Sequence, residues 1–147
     1  MNPEPHARTL RSGRHSQAGG VYLITMVTAN RHPWFADFDA ARALIHTLHH
    51  PDMVARAQTW AYVVMPDHVH WLMHLGQLDG LSACVQRFKS MATKRLGHAL
   101  WQKGFHDHAL RREEDLHAIA RYVVANPVRA GLVQTAGAYP HWDAIWI

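Results

Sequence analysis

Two runs rich in β-branched and aromatic side chains, Gln58 to Met65 and His68 to Leu75, are parted only by Pro66-Asp67. A break of that kind makes a tight turn, so the two runs fold back on each other as an antiparallel hairpin. Side chains at i and i+2 of a strand share a face. Val69, Trp71 and Met73 therefore form an apolar face. His68 and His70 stand side by side on the other, with His74 on the same side but farther from the turn. A hairpin with one apolar face is marginal alone in water, so the rest of the chain has to cover that face.

The remaining sequence supplies the means. Val21 to Thr28 reads as a strand. Asn30 to Phe35, with Pro33, reads as a loop. Asp37 is placed to cap a helix running to about His50, with Phe38, Ala41, Leu44, Ile45 and Leu48 at helical spacing and Pro51 as its stop. A second helix is expected from Leu81 to about Ala99. Leu81, Cys84, Val85, Phe88 and Met91 form its buried stripe, and Arg87, Lys89, Lys94 and Arg95 lie mostly away from it. Gly104 to Arg111 reads as a fourth strand. Glu113, Glu114 and Asp115 suit the positive end of a third helix, which runs to about Ala125 and ends at Asn126-Pro127. The tail from Tyr139, with Trp142 and Trp146, is expected to dock on the core. This order predicts an α+β sandwich, an antiparallel sheet with helices packed on one face. The 147 residues suit one domain, expected over 21–147, after a flexible basic arm over 1–20 that carries Arg8, Arg11 and Arg14.

With one cysteine, Cys84, the chain forms no internal disulfide and no thiolate zinc site; Cys84 is expected as a small buried hydrophobe. No apolar run reaches the ~20 residues of a membrane span. The polar start lacks the apolar stretch of a secretory signal, so a cytoplasmic protein with no membrane partner is expected. The formal charge of +4 suits a polyanion, nucleic acid first.

Three constellations carry candidate chemistry. His68 and His70 present two imidazoles as a divalent metal requires, or simply face solvent as strand histidines; His106 and His108 in F-H-D-H form a rival pair, and spacing alone does not choose between the two. Tyr122 and Asn126, four apart, lie one above the other at the rim of the third helix's apolar stripe; packing of the ring and capping by the asparagine is the plain alternative. Arg87, Lys89, Lys94 and Arg95 precede Trp101, Lys103 and Phe105. This mixture neutralises phosphates and stacks on unpaired bases, or else makes a solvated charged face.

Four blocks in order, A-Y-V-V-M-P-D-H-V-H-W-L-M, L-S-x-x-V-Q-R-F-K-S, W-Q-K-G-F-H-D-H-A-L-R and Y-V-V-A-N-P-V-R-A-G-L-V, resemble the REP-associated tyrosine transposases, part of the HUH superfamily of single-strand DNA transposases. The resemblance covers nearly the whole chain. It implies a ferredoxin-like fold, with His68 and His70 as the metal pair in preference to His106 and His108. It implies Tyr122 as the nucleophile, and Asn126 as a third ligand four residues beyond it. It further implies nicking and strand transfer on single-stranded or hairpin DNA through a 5′-phosphotyrosine, with Mg²⁺ or Mn²⁺ as cofactor, in a bacterial, nucleoid-associated protein that is a monomer or a homodimer. Arg14, Arg87, Lys89, Lys94, Arg95, Lys103 and Arg129 are the candidate DNA contacts. The competing readings are a non-catalytic nucleic-acid-binding protein, such as a domesticated transposase acting as a regulator, and a metal hydrolase that uses water on a small phosphoester.

Overall fold

The computed structural model describes residues 17–111 and 115–146. The expected arm over 1–20 therefore lies outside the described residues except for its last four positions, and Arg8, Arg11, Arg14, Glu113 and Glu114 lie outside them too. The chain order is β1 (Val21–Val27), α1 (Phe38–Leu48), α2 (Pro51–Val54), β2 (Ala57–Met65), β3 (His68–Leu75), α3 (Leu81–Leu96), β4 (His106–Ala109), α4 (Leu116–Val124), α5 (Asn126–Arg129) and β5 (Trp142–Ala144). All strand pairings are antiparallel, in the order β4-β1-β3-β2-β5.

The hairpin forms where the sequence places it, with Met65 opposite His68 across the Pro66-Asp67 turn. One face of the sheet carries Ile24, Met26, Val64, Val69, Trp71 and Met73. Leu44, Leu48, Leu81, Val85 and Phe88 from α1 and α3 cover it. The other face carries Ala61, Val63, Met65 and Leu72, covered by Ala120, Val123 and Val124 of α4. The α+β class and antiparallel sheet are as expected, but the helices do not share one face. Helical periodicity shows that a helix has an apolar side; it is silent on which side of a sheet the connection carries it. A register shift between Thr59 and Ala61 explains how Ala57 and Ala61, of equal parity, serve opposite cores.

Local expectations meet smaller corrections. Asp37 caps α1 as predicted, accepting from Ala40 N at 2.9 Å. Phe38, assigned to the apolar stripe, is 57% exposed at the first turn, beside His141. Pro51 does not merely end a helix: it opens α2, where its missing N–H costs nothing. The second helix stops at Leu96 rather than Ala99, because Gly97 takes a left-handed φ of 85° and its N–H bonds to Thr93 O. Asn126 opens α5 instead of closing the preceding helix. The tail does dock, as a fifth strand on β2. Cys84 is buried in the core, and burial pushes its thiol up to about 12, which leaves it unreactive. Among the described residues no helix is long and apolar enough to cross a membrane.

Lys89 departs most from expectation. It is 6% exposed, and its ammonium donates to Gln102 O at 3.0 Å and Gly104 O at 2.7 Å, with the Trp101 ring 5.9 Å away. It clips α3 to the following loop and is not on the exposed basic surface. Lys89→Ala is expected to lower unfolding free energy in equilibrium urea titrations by about 3 kcal/mol, since two inner carbonyls lose a charged donor. Lys94→Ala, on the exposed side of the same helix, is expected to change it by no more than about 0.5 kcal/mol.

Candidate metal and nucleophile site

The pleat that sends Val69 and Trp71 into one core puts His68 and His70 on the α4 side of the sheet, their ring centroids 4.9 Å apart. Each ring is held by its Nδ1. His68 Nδ1 lies 2.7 Å from Asp67 Oδ1, and His70 Nδ1 lies 2.9 Å from Thr25 Oγ1, the residue that β1 registers opposite it. That leaves Nε2 of each ring for a further partner. This arrangement, with one ring nitrogen oriented by a neighbour and the other available, is how metal-binding histidines are generally built.

The second core brings α4 against β2 and β3, and with it Tyr122. The Tyr122 ring centroid is 6.4 Å from that of His70, edge to face, and the side chain is 50% exposed. Arg129 comes back from α5 over this ring, its Cζ 4.0 Å from the centroid, and Nη2 donates to Tyr122 O at 2.8 Å. One helical turn beyond Tyr122, Asn126 has a buried Nδ2 with no hydrogen-bond partner. A buried amide lacking a partner is uncommon and asks for an explanation. A half-turn of the amide exchanges its nitrogen for an oxygen that a cation accepts.

Electrostatics favour the ligating form of the histidine. Burial first, then the neighbouring His68 and the Arg129 guanidinium, lower the His70 pKa to about 4, so the ring stays neutral at physiological pH. At Asp67 burial opposes ionisation, but hydrogen bonds from His68 and Arg31 outweigh it and hold the carboxyl below its ordinary value. Among the described residues no three His, Cys, Asp or Glu side chains gather to hold a metal. A cation here would rest on two imidazoles and the Asn126 amide, with the substrate's own oxygens completing its shell. The residues present fit such an ion.

Other candidates are distributed around this centre. His106 pairs with Thr25 in register, so it shares the face and the row of His70, with β1 between them. Arg87, Lys94 and Arg95 are exposed on α3, behind the sheet as seen from the histidines. Lys94 and Lys103 line an open cavity of about 480 Å³ between α3 and the loop that follows it. That loop reaches the site: Gln102 N donates to Val27 O at 2.8 Å, and Val27 is registered opposite His68. Sequence reasoning did not find Thr25, Arg31 or Asp67. Asp67, directly before the histidine pair, was the one that could be read; the contact of Thr25 depends on strand register.

The family model "Transposase IS200 like" matches residues 17–126. A Haemophilus influenzae protein provisionally named a REP-associated tyrosine transposase is 27% identical over 142 residues, covering 84% of this chain and 78% of that protein. The REP-associated tyrosine transposase of Escherichia coli is 32% identical over 83 residues, covering 54% of this chain and 50% of its own length. A solved structure of the REP-associated tyrosine transposase bound to a REP hairpin superimposes with a TM-score of 0.71 at 26% identity, covering 88% of this chain and 79% of that one.

An NMR titration of the metal-free protein is expected to show His70 taking its proton with a midpoint of about 4; a midpoint of 6.5, the ordinary value, would contradict the burial argument. Because the folded pKa lies below the unfolded one, the unfolded chain binds the proton first. The stability this provides is complete above pH 6.5 and is lost as pH falls through about 4.

Proposed function

This chain belongs to the IS200-like transposase family, and from that premise we propose that it nicks and rejoins single-stranded DNA through Tyr122, on strands bearing REP-type hairpins. The single observation that carries the reading is the half-exposed Tyr122 ring standing 6.4 Å from His70, on the face where His68 and His70 leave their Nε2 atoms available. The hairpin substrate is carried over from the relative whose solved structure holds a REP hairpin.

In this reading the Tyr122 phenolic oxygen forms a bond to the scissile phosphorus, and the bond from phosphorus to the 3′ oxygen breaks. The phenolic proton is given up, and the departing 3′ oxygen gains one. The products are a 5′-phosphotyrosyl protein and a free 3′-hydroxyl. Because the phosphotyrosyl bond keeps the energy of the diester, a second 3′-hydroxyl can attack it and rejoin the strand without a nucleotide cofactor. His68, His70 and Asn126 would hold Mg²⁺ or Mn²⁺, which would supply charge to neutralise a phosphate oxygen and polarise phosphorus. His70 stays unprotonated, as ligation requires. Arg129 holds the Tyr122 backbone, and its guanidinium, lying over the ring, attracts the phosphate.

Arg87, Lys94, Arg95 and Lys103 are assigned to phosphates on either side of the cleaved position, together with Arg14, which lies outside the described residues. Lys89 is withdrawn from this set because its charge is satisfied internally. Residues 21–147 are read as one catalytic domain, with 1–20 adding basic charge.

Tyr122→Phe is expected to bind a labelled REP-type hairpin strand within about twofold of wild type, yet to form no covalent adduct on a denaturing gel with Mn²⁺, a loss of at least about 10³-fold in cleavage. A phenylalanine variant that cuts at the normal rate would sink the proposal. His68→Ala combined with His70→Ala is expected to abolish metal-stimulated cleavage, while His106→Ala with His108→Ala retains part of it; equal loss in both pairs would reverse the assignment.

A further inference from the structure

The two histidines are held differently, and the difference has chemical content. A neutral imidazole carries one N–H and one lone pair, and a metal takes the lone pair. The partner of His70 is a hydroxyl, which donates or accepts, so Thr25 leaves the tautomer of that ring open. The partner of His68 is an ionised carboxylate, which only accepts. With Asp67 Oδ1 at 2.7 Å, Nδ1 of His68 has to carry the hydrogen, and the lone pair is left on Nε2.

Asp67 is itself fixed from three directions. Thr28, fully buried, donates to Asp67 O from its backbone N at 3.0 Å, and its one hydroxyl proton is shared between His32 O at 2.8 Å and Asp67 O at 3.1 Å. Arg31 Nη1 donates to Oδ2 at 3.0 Å, leaving Oδ1 to His68. Arg31 reaches this position from an unusual backbone: Asn30 and Arg31 have φ of 56° and 52°, a left-handed pair without glycine. Such a conformation is costly for side chains other than glycine and tends to persist where a site demands it. The Arg31 side chain is 63% exposed, so the ion pair adds little to stability. What it supplies is orientation.

We propose that Asp67 is the positioning residue of the metal site: its carboxylate, held by Arg31, fixes His68 as the Nδ1–H tautomer and so delivers the Nε2 lone pair to the cation. The proposal rests on the metal reading above and extends it from the ligands to the group that orients them.

Two measurements separate the parts. Long-range ¹H–¹⁵N correlation on the metal-free protein reads the His68 tautomer directly, and Mn²⁺ titration followed by electron paramagnetic resonance reads affinity. Wild type is expected to show His68 as Nδ1–H. Asp67→Ala is expected to shift the ring toward Nε2–H and to weaken Mn²⁺ binding about 10- to 100-fold. Asp67→Asn keeps the size of the side chain if the alanine variant fails to fold. Its amide offers either oxygen or NH₂, so a mixed tautomer and an affinity loss of a few fold are expected. Arg31→Ala is expected to move both readouts in the same direction by less. An Nε2–H ring in wild type overturns the proposal. So does an affinity loss with an unmoved tautomer, which makes Asp67 a ligand instead, or no change in either Asp67 variant. If wild type and the His68→Ala, His70→Ala double variant take up Mn²⁺ equally, the metal reading fails, and the ring measurement still decides what Asp67 does.

Discussion

The burial of Trp71 fixes the rest. Its indole is fully enclosed, its Nε1 donates to Thr59 Oγ1 at 2.9 Å, and its ring packs 5.3 Å from Phe88. A strand cannot turn one residue without turning its neighbours, because a slip of one position moves every side chain to the other face. With Trp71 committed inward, His70 has no choice but to face outward, toward Thr25 on one side and Tyr122 above. The chemistry on one side of β3 is thus held in place by packing on the other, and the accuracy of the site is inherited from the core.

The opposite cover is of a different kind. Where α1 and α3 seal their face with large side chains, α4 meets the sheet through Ala120, Val123 and Val124. Small residues bring the helix close, and Tyr122, next to Val123, is left at the margin of the contact rather than inside it. Arg129 then folds back over the phenol from the short helix that follows. The nucleophile proposed here has to be both accessible and constrained; the alanine and valines supply the constraint and the rim position supplies the access.

Much of this was legible before any coordinates. The alternation from Met65 to Leu75 pointed to the hairpin and to the pairing of His68 with His70, whereas the spacing of Tyr122 and Asn126 predicted one helix and the helix breaks between them, with Asn126 opening α5. What the pattern could not carry were facts that depend on contacts between distant segments. The placement of α4 opposite α1 and α3 follows from how the connection wraps. The three residues of β5 are too few for a periodic signal, and they pair only because the edge of β2 is open to them. Lys89 looks like any basic residue between Phe88 and Ser90, and nothing local shows that carbonyls 13 and 15 residues later will claim its ammonium. Thr25 and Arg31 are silent for the same reason, since each acts on a residue in another strand or turn.

Lys89 also has a bearing on how a polymer could lie on this molecule. By fastening α3 to the stretch through Gln102 and Gly104, it makes the exposed cations of that helix one rigid body with the end of β1, next to His68. Those cations and the histidines nevertheless look out from opposite sides of the sheet. In the proposed function, a strand in touch with both would have to pass around the sheet from one face to the other. Duplex DNA, stiff over about 50 nm, resists such a bend, whereas an unpaired strand makes it freely. A strand that reached both in this way would therefore be unpaired where it rounds the sheet.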